Sequence, residues 1–184
     1  MIRAEKRFFP SNALDRFLDK TAVESILSCG CDQCERHLHD LGKQDLPIKY
    51  ADKIVGTKSP TDAKALFALL IHIEHPMFIV AFMERGMDSK SLESFCAQPL
   101  FDPKTLEDYW PRYSKRNPND SRALAQKFSF SMHQFVPPIL DHGSFSLYSA
   151  NTILPIIEGP TLGSGAYGEV YPFSIYEGYN KIPV

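Results

Sequence analysis

The stretch from Ser59 to Arg85 limits the possible folds of this chain more than any other. Ser59-Pro60-Thr61-Asp62 is a helix start signal. A serine can cap free backbone N–H groups, a proline is tolerated at the first helical position because its missing N–H would have no partner there, and an acid favours the positive end of the helix. The helix it opens is nearly all apolar. Leu66, Phe67, Leu69, Leu70, Ile71 and Ile73 leave little polar face, so the pattern predicts a central helix surrounded by other elements. Pro76 restarts the pattern, Met77 to Arg85 carries Phe78, Ile79, Val80, Phe82 and Met83, and Gly86 stops it. Two such helices form a core hairpin and need others to cover them, which predicts a mainly α fold.

The covering helices are legible as weaker patterns. From Ser11 or Asn12, Leu14, Phe17, Leu18, Val23, Ile26 and Leu27 recur at near-helical spacing as far as Ser28 and predict one helix. Cys31 to Leu41 predicts a short helix ended at Gly42, and Ile48 to Val55 is a weak amphipathic patch in a connection. Gly86-Met87-Asp88-Ser89 reads as a turn, with a short helix near Leu106 to Tyr109. Asn119-Asp120 caps a helix from Arg122 to about Phe135, which Pro137-Pro138 ends. Residues 1–152 are expected to form one helical domain with a regulatory role, and residues 153–184 a short β-hairpin.

Composition sets the class. A chain of 184 residues with 43% hydrophobic content is large enough for a real core. A net charge of -2 argues against a nucleic-acid or acidic-membrane binder, and the Trp110 to Arg116 cluster, which mixes stacking and cationic side chains, reads as a solvated turn. The longest apolar run, Ala65 to Ile71, is interrupted by His72, Glu74, His75 and Pro76 and falls short of the roughly 20 residues a spanning helix needs. Met1 to Arg7 has no apolar signal core, so a soluble protein of the cytoplasm or nucleus is expected.

The tail carries the clearest motif. Leu162-Gly163-Ser164-Gly165-Ala166-Tyr167-Gly168-Glu169-Val170-Tyr171 reads L-G-x-G-x-x-G-x-V-Y. Glycines at this spacing permit a tight strand-loop-strand turn and let backbone N–H groups approach phosphate oxygens. A dinucleotide-binding fold would open a helix at the third glycine, whereas Glu169 to Tyr176 is rich in β-branched and aromatic types and suits a strand. Pro155, Gly159-Pro160 and Pro172 interrupt the flanking strands, leaving a short first strand near Thr161.

This pattern resembles the nucleotide-covering loop of protein kinases. The helix pair around Ala65 to Ile73, the Gly86-Met87-Asp88-Ser89 turn and Ile153 to Glu158 before the loop resemble, more loosely, the N-terminal regions of fungal protein-kinase-like proteins. The resemblance implies that Leu162 and Val170 clamp adenine, that Tyr167 lies at the loop tip, and that Gly163, Ser164, Gly165, Ala166 and Gly168 border the phosphates of ATP with Mg. Transfer to protein Ser/Thr hydroxyls would also need a lysine, a metal-binding aspartate and a catalytic loop. None follows Val170, and Lys181 reads as a solvated turn residue. The expected function is therefore the N-terminal part of a kinase-like protein, inactive as this chain alone. The alternative is a helical protein-interaction module with a non-binding kinase remnant. In both, the hairpin should contribute little to the helical domain's stability.

Cys29-Gly30-Cys31-Asp32-Gln33-Cys34-Glu35-Arg36-His37-Leu38-His39 concentrates three thiols and two imidazoles. Zinc takes four tetrahedral N or S ligands, and Cys29, Cys31, Cys34 with His37 or His39 can supply them if Gly30 lets the chain turn. Against this, structural zinc sites usually draw ligand pairs from separate segments, and Cys96 is the one other thiol. The other reading makes Cys29 and Cys34 small buried hydrophobes, with the histidines on a polar helix face. His72, His75, His133 and His142 read as single core-edge or surface residues.

Overall fold

The computed structural model describes residues 8–42, 47–57, 62–97, 102, 104–107, 109, 118–141, 148, 151–166 and 168–181. Within them the protein is mainly helical, with two small antiparallel sheets at the end. No helix among them is long and apolar enough to cross a membrane. The Ser59-Pro60-Thr61 signal, the Trp110 to Arg116 cluster, His142 and Tyr167 lie outside the described residues.

The first predicted helix is two, α1 (Ser11–Phe17) and α2 (Lys20–Leu27). The break has a local cause: the Asp19 carboxylate accepts the Ala22 N–H at 2.8 Å, an N-cap that starts a new helix. Helix α3 (Asp32–Asp40) ends before Gly42, whose φ of 67° belongs to the left-handed region, as the sequence predicts. The weak patch at Ile48 folds as a 3-10 turn (Pro47–Tyr50) leading into α4 (Ala51–Val55).

Helix α5 (Lys64–His72) is the hub, touched by α1, by α4, and by the later elements α6 (Ile79–Glu84), α7 (Ser89–Cys96) and α9 (Pro118–Met132). Its Leu66, Phe67, Leu69 and Leu70, with Ile73 just beyond, are wholly buried. Each such side chain contributes about 1.5–3 kcal/mol when removed from water. A 3-10 turn (Pro76–Phe78) bends the chain into α6, whose Phe82 stacks on Phe128 of α9 at 5.3 Å and on Tyr109 at 4.8 Å, just past the short α8 (Lys104–Glu107).

Helix α7 was not expected, since Gly86 to Ser89 reads as a turn and no helix is predicted after it. Asp88 and Ser91 form a capping box: the Asp88 carboxylate accepts the Ser91 N–H at 2.8 Å, and the Asp88 N–H reaches the Ser91 hydroxyl at 3.3 Å. One further carboxylate ties two helix starts together. Asp62 accepts both the Lys64 N–H at 3.1 Å and the Ser89 hydroxyl at 2.8 Å.

The tail is a longer ribbon than its prolines suggest. Strand β1 (Ile156–Glu158) pairs antiparallel with β4 (Phe173–Ile175), and β2 (Gly163–Gly165) with β3 (Gly168–Val170). Between the two ladders the Gly159 N–H donates to the Pro172 carbonyl at 2.7 Å, so Pro172 accepts at the very place where it has no N–H to give. A Cβ on Gly159 would lie 2.7 Å from Pro172 Cγ, which makes glycine a requirement of that close approach.

The chain then returns to the helices. Tyr179 is buried, and its hydroxyl accepts the Ser11 N–H at 2.9 Å, at the start of α1. Leu140 donates to the Tyr179 carbonyl at 2.8 Å and accepts from Lys181 at 2.9 Å, forming a short parallel bridge. Phe8 packs edge-on against Tyr176 and Tyr179. The end of the tail is thus tied to the helical part, and what these contacts contribute to its stability is a matter for measurement. Tyr179→Ala should lower stability by about 3–5 kcal/mol through lost burial, and Tyr179→Phe by about 1 kcal/mol through the hydroxyl alone. Chemical denaturation of both variants measures this; an unchanged midpoint for Tyr179→Ala would show that the docking carries no stability.

Candidate functional site

Two places carry chemistry, the glycine ribbon and the thiol cluster. In the ribbon, Gly163 lies opposite Val170, Ser164 opposite Glu169 and Gly165 opposite Gly168. The Leu162 N–H donates to the Val170 carbonyl at 2.8 Å, which brings the two residues read as adenine clamps together across the ribbon. Gly168 has a φ of 139°, a conformation that L side chains rarely adopt. Added Cβ atoms at Gly163 and Gly165 would meet nothing within 4 Å, so no packing demands glycine there; what the glycines leave is bare, open backbone.

Leu162 is 70% exposed and Val170 62%, so the two apolar residues stand in water rather than in a pocket. The Tyr171 hydroxyl donates to the Glu169 carboxylate, and that bond raises the tyrosine pKa above its ordinary value. Lys181 is exposed, and its backbone N–H donates to the Leu140 carbonyl.

The thiol cluster is built at a helix start. Cys29 follows α2, Cys31 is the N-cap residue of α3 with extended backbone, and Cys34 lies in the first turn of α3. Their sulfurs all lie within 4.8 Å of one another, which lets the group hold a metal ion. Cys31 is exposed, Cys29 half-buried and Cys34 buried. The Cys31 thiol is lowered to about 7, first by the Cys34 backbone N–H directed at it and then by the Cys29 and Cys34 thiols, although its sulfur forms no full cap hydrogen bond. Burial first, and then the neighbouring sulfurs, push Cys34 up to about 12. Of these two thiols Cys31 is the more acidic and Cys34 the less.

His37 does not join the sulfurs. It is buried, with its Nε2 at 3.1 Å from His75 Nδ1 and its ring 5.2 Å from that of Phe78. His39 is on the outer side of α3, its ring Nδ1 3.8 Å from the Asp40 carboxylate. Cys96 is a separate thiol, pushed up to about 12 by burial and by Glu93. The His37–His75 contact was missed in the sequence because the residues lie on different elements, and no local pattern links them. It docks α3 on the Pro76–Phe78 turn, helped by the Gln33 side-chain amide donating to the Glu74 carbonyl at 3.0 Å.

The chain matches no protein-family model, no curated protein and no solved structure. What the two sites do is therefore argued from their chemistry.

Burial lowers His37, and burial, then the charges of His37 and Lys127, lower His75 from 6.5 to about 4. A depressed histidine is neutral when folded and protonates when unfolded, so the stability it supports is present above about pH 6.5 and is lost as the pH falls toward about 4. The thermal midpoint should fall through that window, and His75→Gln should flatten the fall. An identical slope in the variant would show that the histidine pair is not what titrates.

Proposed function

We propose that residues 153–184 are the nucleotide-covering hairpin of a protein-kinase-like lobe, preceded in residues 1–152 by a helical module that regulates the lobe or docks a protein partner. The observation that carries this reading is the register of the ribbon, with Gly163 opposite Val170 and Gly165 opposite Gly168. An adenine ring needs apolar surface on its faces, and phosphates need open backbone N–H groups. The Leu162 N–H donates to the Val170 carbonyl across the ribbon, and the glycines beside them leave the backbone bare. Both are exposed and call for a cover, which a nucleotide and the rest of a lobe would supply.

ATP with Mg is the cofactor of this reading, and protein Ser/Thr hydroxyls are the acceptors. The hairpin positions phosphates, while the charge that develops in transfer is stabilised by a lysine and metal-holding acids. Residues 1–184 by themselves are therefore inactive and bind Mg-ATP weakly. Such a protein works in the cytoplasm or nucleus, where ATP is present and thiols stay reduced.

The thiol cluster favours a second reading of the helical part, as a metal-stabilised interaction module. Zinc is the ion the cysteine spacing suggests, held by Cys29, Cys31 and Cys34, with a fourth ligand from solvent or a partner protein.

Grafting tests the first reading. Residues 162–171, placed over the glycine loop of an active protein kinase, should preserve phosphoryl transfer within about tenfold, and Gly165→Val in the graft should abolish it. A graft that folds but neither binds ATP nor responds to Gly165→Val would contradict the nucleotide-loop reading.

A further inference from the structure

We propose that Cys29, Cys31 and Cys34 form a three-thiol site for a trivalent thiophilic ion, with arsenite as its simplest form. This rests on reading the cluster as a metal site and departs from that reading in the identity of the ion.

The donor set is the first argument. Three sulfurs lie within 4.8 Å of one another, and among the described residues no imidazole or carboxylate completes the group. The two histidines that could have done so lie outside the group, His37 against His75 and Phe78, and His39 exposed beside Asp40. Zinc on these ligands has to take its fourth tetrahedral donor from outside the chain's described residues, from solvent or a partner. Trivalent arsenic takes three sulfurs in a pyramid and fills the remaining position with its own lone pair. Thiolates select soft ions of this kind over hard ones.

Charge is the second argument. Asp32 and Glu35 stand in the first turn of α3, and a Cβ on Gly30, between Cys29 and Cys31, would lie 4.0 Å from a Glu35 carboxylate oxygen. Three thiolates around zinc keep a net negative charge beside these acids, with one of the sulfurs, that of Cys34, buried. Arsenic(III) leaves no charge at all. Arsenous acid condenses with the three thiols: three As–OH and three S–H bonds break, three As–S bonds form, and each thiol proton leaves with a hydroxide as water. No oxidation state changes, and no thiolate has to persist in a buried position.

Access is the third. Cys31 is exposed and makes the first bond, Cys29 is half-buried beside it, and Cys34 closes the site from the core side. The loop is held in place by the Gln33 to Glu74 hydrogen bond and the His37–His75 contact, so the sulfurs are gathered before the ion arrives.

The test uses the reduced, metal-free chain with sodium arsenite and with zinc as separate probes, and X-ray absorption at the arsenic edge to count sulfur neighbours. One arsenic per chain with three sulfur neighbours is expected. Cys29→Ser, Cys31→Ser and Cys34→Ser should each weaken arsenite binding by at least about tenfold, Cys96→Ser should not, and equimolar zinc should not displace the ion. Circular dichroism confirms that each variant folds; Cys29→Ser and Cys31→Ser change side chains that are not fully buried, so they remain informative if Cys34→Ser unfolds. Undiminished binding by Cys29→Ser would mean a two-thiol capture and overturn the proposal. Displacement by zinc would overturn it while leaving a metal site in place, and failure of both ions to bind would overturn the metal reading as well.

Discussion

Helix α5 buries five consecutive residues, Leu66 to Leu70, and the rest of the helical part follows from that. Leu66, Phe67, Leu69, Leu70 and Ile73 bury apolar surface in several directions at once, so a single partner helix would leave some of it wet. Helices α1, α4, α6, α7 and α9 all reach it. Their short lengths fit this arrangement, because each need cover only one face of the hub. The Asp62 carboxylate, which accepts from both Lys64 and Ser89, fixes where α5 and α7 begin relative to each other. From the end of α5 the chain turns through Glu74 and His75, and that turn is where α3 and the thiol loop dock. The metal-capable cluster is thus positioned by the same core that organises the helices.

The ribbon follows a different logic. Ile157, Leu162, Val170 and Phe173 are all more than half exposed, and its backbone pairs stand alone as two strands. A two-stranded ribbon without a covered face is marginal in water. Its far end is secured instead, through Tyr179 under the start of α1 and the Leu140 bridge. This leaves a projecting hairpin on a fixed base, an arrangement suited to being covered by a nucleotide, a further sheet or a partner.

The parts of this structure that were legible in the sequence are those specified locally. The apolar hub, the stop at Gly42 and the crowding of three cysteines around Gly30 are each contained within a few residues. The errors arose where one polar side chain decided the outcome. Asp19 splits a continuous apolar pattern into two helices, and the Asp88–Ser91 capping box starts a helix where turn residues crowd. His37 shows why a ligand set is harder to read than a cluster. It lies one turn from Cys34 on α3 and is well placed by spacing, but the core side of the helix takes it to His75, a residue 38 positions away. The ribbon's length was concealed by its prolines, whose carbonyls still accept even though they cannot donate.

Native-state hydrogen exchange tests the division between hub and ribbon most directly. A core organised around α5 requires the Phe67 and Ile73 amides, bonded to Ala63 and Leu69, to exchange only through global unfolding. The Leu162 amide, bonded to Val170 in the exposed ribbon, should exchange through local opening many times faster, with the Leu140 and Lys181 amides at the docked base in between. Protection of Leu162 equal to that of Phe67 would contradict a projecting ribbon and would make it part of one cooperative unit with the helices.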